Sequence, residues 1–170
     1  MAEQDSAAAT NGSGPEGTEA QFSVLAQYIK DMSVENPNAP QVYQWEAQPN
    51  LDVQFNLNAQ KLSDDVHEVE IKIQVTARSD NGVHFVVDLT YAGIFGVRNF
   101  PEESLGPVLL VEAPRLLFPF ARQVVSEAVT NTGFPPLLLE PIDFGGAYLQ
   151  QAEAMQNQGA LSEATPEGNA

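Results

Sequence analysis

The chain has 170 residues, enough for one domain, with 23 Asp and Glu against 7 Lys and Arg and a formal net charge of -16. That balance excludes non-specific nucleic-acid binding and disfavours an anionic membrane surface, because both need a basic patch. No Cys and only two His leave no disulfide framework, thiol nucleophile or Cys-based zinc site, and no metal or other cofactor is expected. The uninterrupted apolar runs fall short of about 18 residues, so no membrane insertion is expected. The acidic start MAEQDSAAAT lacks the apolar segment of a signal peptide. A soluble, cytoplasmic protein is the expectation.

Residues 1–20 contain four acids, no base and no large apolar side chain after Met1. Such a stretch cannot bury enough surface to offset its ordering entropy, and a disordered acidic tail is predicted. Residues 153–170 read the same way, which leaves one domain over 21–152.

Phe22–Val34 reads as a strand with imperfect alternation. Phe22, Val24, Ala26 and Tyr28 fall on one parity, Leu25 and Ile29 on the other. A connector with Pro37 and Pro40 follows, too long and too stiff for a hairpin turn. Leu51, Val53, Phe55 and Leu57 alternate with polar residues, as do Val69, Ile71, Ile73, Val75 and Ala77. Asp80-Asn81-Gly82 predicts a type I′ hairpin into a strand with Val83, Phe85, Val87, Leu89 and Tyr91 inside. His84, Val86 and Asp88 then face water. His67 sits on the apolar parity, as a core or rim histidine.

The second half is helical. Pro101-Glu102-Glu103 resembles a helix start, but Pro107, Pro114 and Pro119 predict a break or kink before about residue 115. Phe120–Asn131 is a good helix ending near Gly133. Asp143 caps a short helix over 143–152, loosened by Gly145 and Gly146. The fold class is α+β: a four-stranded antiparallel sheet, a long kinked helix and a short C-terminal helix.

No nucleophile elbow, P-loop or dinucleotide fingerprint is present, and no catalytic residues are assigned. Asp64-Asp65 reads either as an acid pair or as turn residues serving the backbone. Asp31 and Glu35 end the first strand, while Val86 and Asp88 lie on a wet face. Together they read as a docking patch for a basic partner or as an ordinary solvated face. The apolar surface exceeds what one chain can cover, which implies an oligomer or an apolar groove. Tyr43 and Trp45 in the connector, with Phe144 and Tyr148 in the last helix, either line such a groove or pack the connector down.

The segments YIKDMSVENPNAP (28–40), Ser63-Asp64-Asp65-Val66, Gly93-Ile94-Phe95, Leu117–Arg122 and Gly133-Phe134-Pro135 together resemble the SecB family of bacterial export chaperones. The resemblance covers roughly residues 21–150. It implies a homotetramer, a dimer of dimers with Val125 at a helix interface between chains, that keeps secretory precursors unfolded in the cytoplasm without ATP. It implies delivery of these unfolded precursor proteins to the motor SecA for translocation, with the SecA contact on Asp31, Glu35, Val86 and Asp88. The competing reading of the same apolar surface is a carrier for a small apolar ligand. A hydrolase built on Asp64, Asp65 and the histidines is a third. Aggregation suppression of an unfolded precursor separates the first from the others.

Overall fold

Alternating β-branched and charged residues make a strand whose two faces meet different media. β2 (Asn50–Ser63), β3 (Val66–Ser79) and β4 (Gly82–Arg98) carry that pattern. With β1 (Gln21–Glu35) they form an antiparallel sheet in the order β1-β4-β3-β2. The connector therefore runs from one edge of the sheet to the other. The computed structural model describes residues 17–163, with side chains through residue 157. Of the tails expected over residues 1–20 and 153–170, residues 1–16 and 164–170 lie outside the described residues, whereas 153–163 are helical.

Ile71, Ile73, Val75, Val87, Leu89 and Phe95 are fully enclosed on one face of the sheet. That face is covered by α1 (Glu102–Pro107), a π-helical turn (Val108–Glu112) and α2 (Ala113–Asn131), which run on without a break. Pro114 has no N–H for an ordinary i→i−4 bond, and the wider π turn before it takes up the irregularity. The prolines therefore distort the helix but do not break it, which is the kink and not the break of the sequence expectation. By length and composition Glu102–Asn131 passes for a membrane span. Leu117, Ala121, Val125 and Val129 are nonetheless buried against the sheet, so the helix is part of the core. Gly93 sits beneath it: a Cβ there would lie 2.7 Å from Leu117 and 2.8 Å from Phe95.

α3 spans Phe144–Glu163, well past the predicted end near residue 152. Asp143 caps it as expected, its Oδ1 accepting the Gly146 N–H at 3.0 Å. Phe144 is a core residue, edge-on to Phe118.

Three expectations about the strands need correction. β1 contains register shifts between Val24 and Ala26 and between Ile29 and Asp31. Each inserts one residue and changes which parity faces the helices. Phe22 and Val24 lie opposite Val97 and Phe95 on the helix side, whereas Ala26 and Tyr28 lie opposite Ile94 and Ala92 on the outer side. The β3–β4 hairpin turns at Asp80 and Asn81, and only Gly82 takes positive φ (137°), so it is not type I′. A further shift places His84 as an extra residue opposite Ala77 and Arg78. His84 is consequently buried on the helix side, not exposed beside Asp88.

Candidate functional site

The connector is tied to the end of α2. Tyr43 Oη donates to the Thr132 carbonyl at 2.7 Å, and Asn36 Nδ2 donates to the same oxygen at 3.2 Å. Asn38 Nδ2 donates to Val83 O at 2.9 Å. A short 3-10 turn, Gln41–Gln44, buries Val42 and leaves Tyr43 52% exposed. These anchors hold open a cavity of about 520 Å³ lined by Tyr43, Trp45, Leu51, His84 and Phe134, with Pro135 and Pro136 on its wall. Trp45 meets His84 edge-on at 5.0 Å, and Tyr43 is tilted against Phe134 at 5.7 Å. His84 Nε2 lies 2.8 Å from Ser79 Oγ.

Phe144 and Tyr148 line a different cavity, of about 340 Å³, with Phe55, Leu57, Leu110 and Ile142. The four aromatics read together from sequence thus fall into two pockets at separate points along β2. Between them Leu51 and Phe55, 47% and 37% exposed, extend an apolar strip on an edge strand. His84, Phe134 and Leu51 were missed as lining residues. The Gly133-Phe134-Pro135-Pro136 run was the available signal, because a stiff aromatic link after a helix must pack on something nearby.

The opposite face of the sheet is polar. In the register, Glu35 lies directly across from Val86, Ser33 from Asp88 and Asp31 from Thr90. Asp31, Glu35, Val86 and Asp88 therefore share the outer face of two neighbouring strands, as one patch. The second bulge of β1 is what makes this so, since it restores Asp31 and Glu35 to the outer side. Among the described residues neither Asp31 nor Glu35 has a cation within 4.0 Å. Asp88 accepts from Gln74 Nε2 at 2.7 Å and lies 3.6 Å from Lys72 Nζ.

Towards the other end of this face the charges are paired off. Lys30 donates to Glu68 at 2.8 Å and also to Glu70, and Tyr28 donates to Glu68. Lys30, and after it Tyr28, hold the Glu68 carboxyl below its usual range. The hydrogen bonds to Glu68 and Glu70 push the Lys30 ammonium up. Burial raises Tyr28, with Glu68 adding to the effect.

The remaining candidates have structural roles. Asp64 and Asp65 lie in the β2–β3 turn, paired with Lys61 and Arg98, each at 3.1 Å. His67 is buried at the rim of the core, and that burial lowers its pKa.

A family model described as preprotein translocase subunit SecB matches residues 15–155. The chain belongs to the SecB family. It is 52% identical over 155 residues to protein-export protein SecB of Sphingopyxis alaskensis, spanning 91% of this chain and 90% of that one. It is 51% identical over 170 residues to the SecB of Rhizorhabdus wittichii, spanning all of both chains. Among solved structures, it resembles a SecB-like chaperone of Mycobacterium tuberculosis in complex with a ChAD peptide from the HigA1 antitoxin. That likeness has a TM-score of 0.59 at 17% identity, covers 72% of this chain and 91% of the other, and supports the fold. This SecB-family chain is accordingly a protein-export chaperone built on an α+β fold.

Proposed function

We propose that the protein holds secretory precursors unfolded in the cytoplasm without ATP or catalysis, as a tetramer formed by two dimers, and passes them to SecA. The observation that carries this reading is the division of labour between the two faces of the sheet. The helix side offers two apolar pockets joined by an exposed strip. The outer side offers an acidic patch with one apolar side chain at its centre.

An unfolded chain exposes apolar segments at irregular intervals. Tyr43 and Trp45 in one pocket, with Phe144 and Tyr148 in the other, give weak and sequence-tolerant contacts. Repetition over several sites and several subunits converts these into tight binding through effective concentration. Handover requires a separate surface, so that motor and client are held together. Asp31, Glu35, Val86 and Asp88 supply it: the acids steer a basic surface and set its register, and Val86 anchors it. The exposed stripe of Leu116 and Phe120 on α2, with Leu25 and Ile29 on β1, is apolar surface that assembly would cover.

Reversing Asp31 and Asp88 together to Lys tests the assignment of faces. SecA affinity measured by calorimetry should be lost, while assembly mass and suppression of precursor aggregation stay at wild-type level. Loss of client holding with SecA affinity intact would reverse the assignment, and a collapse of the assembly would make the patch a subunit interface.

A further inference from the structure

We propose that Lys72 is an internal competitor for the SecA patch, occupying Asp88 until a cation of the partner replaces it. The inference rests on the reading of the outer patch as the SecA site.

Lys72 stands on β3 across from Thr90, so Asp88 is its diagonal neighbour on β4, within reach of a long side chain. No other acid lies within 4.0 Å of Lys72 among the described residues. The two oxygens of Asp88 are treated differently. Oδ2 accepts a 2.7 Å hydrogen bond from Gln74, which faces it directly across the strands. Oδ1 is closed off from solvent and accepts no hydrogen bond. The Lys72 ammonium is 3.6 Å from that oxygen, near enough for charge attraction but too far to satisfy it.

This geometry separates orientation from charge. Gln74 alone suffices to aim the carboxylate, so Lys72 is not needed to position it. What Lys72 contributes is a positive charge beside the acid that a basic partner must reach. Its side chain is 45% exposed and the Asp88 side chain 26%, so the ammonium can swing out into water. A loosely held, partly exposed pair of this kind is weak, and its displacement costs little. The exchange replaces an unbonded contact by a charge-assisted hydrogen bond from the partner. Among the described residues Asp31 and Glu35 carry no such competitor. The patch therefore holds two open acids for first encounter and a third that engages only as Lys72 is displaced.

Replacing Lys72 with Met keeps most of the length of the side chain and removes its charge. SecA should then bind about two- to fivefold more tightly, because the lost competitor was worth no more than a surface ion pair. Association should be faster and fall more steeply with salt, since the patch becomes more negative. Lys72→Arg, whose fork can bond both to Asp88 and to its surroundings, should bind SecA no better than wild type. Stopped-flow association and calorimetry with purified SecA, with assembly mass confirming the fold, read all three effects. Unchanged or weaker SecA binding by Lys72→Met would overturn the competitor role. If Asp31→Lys with Asp88→Lys also leaves SecA binding intact, the reading of the patch itself fails; if that pair abolishes binding, only the role of Lys72 falls.

Discussion

Phe120 and Val125 lie five residues apart on α2 and are sharply different in exposure. Val125 is fully buried against the sheet of its own chain, whereas Phe120 is 49% exposed. This overturns the sequence expectation that Val125 joins helices of different chains, and it supplies a paired test of assembly. About half of a ring side chain of roughly 200 Å² remains open on Phe120, or about 100 Å². At about 25 cal/mol per Å², covering it in an interface contributes about 2.5 kcal/mol, or about 5 kcal/mol where a two-fold axis brings both copies together. Phe120→Asp forfeits that contribution and adds the cost of desolvating a charge, so the dissociation constant should rise by at least about a thousandfold. Light scattering across a dilution series should show small folded species with native circular dichroism. Val125→Asp instead places a charge inside the chain's own core, and should lower the urea midpoint or prevent folding. A Phe120→Asp protein that keeps wild-type mass at micromolar concentration would refute the claim that this stripe is an interface.

Tyr43→Ala combined with Trp45→Ala should weaken precursor binding by about tenfold, as two aromatic contacts of about 0.5–1.5 kcal/mol beyond area burial are lost, with calorimetry against an unfolded precursor as the check. Gly93→Ala should lower stability by about 1–3 kcal/mol, because its Cβ meets Leu117 and Phe95 in a closed core, and urea denaturation would show it. Burial, and then Lys61, depress the pKa of folded His67, so unfolding takes up a proton below about pH 6.5. Its contribution is therefore complete above that pH and is lost as the pH falls below it. The wild-type urea midpoint should drop between about pH 7.5 and 5.5 by more than that of His67→Phe; equal drops would remove His67 as the cause.

Where each strand meets the same medium along its whole length, parity alone finds the faces. That is why Ile71, Ile73 and Val75 on β3 and Val87 and Leu89 on β4 were legible as core. Val86 and Asp88 were legible as outward for the same reason. His84 was not, because the shift opposite Ala77 and Arg78 belongs to the pairing of two strands and leaves no mark in either alone. β1 was obscure because it changes parity twice. The prolines of the long helix left a break or a kink open, since the π turn that accommodates them is set by packing on the sheet. The distance between the two pairs of groove aromatics follows from where α3 docks, which the local pattern around Gly145 and Gly146 does not specify. Asp31 and Glu35 were legible as acids four apart, but their place beside Val86 and Asp88 depends on the second bulge.

That bulge gives β1 an unusual mutational grammar. Deletion of Lys30 would remove only the extra residue, leaving Asp31 to follow Ile29 in plain alternation, still across from Thr90. Asp31 and Glu35 would stay on the outer face and Met32 and Val34 on the helix side. Deletion within a regularly paired stretch, such as Tyr28, would instead turn the residues on one side of it to the opposite face. Natural variation in the length of this strand should therefore fall at the bulge positions Leu25 and Lys30. Elsewhere in β1 a gain or loss of one residue would have to be matched by a second nearby that restores the register.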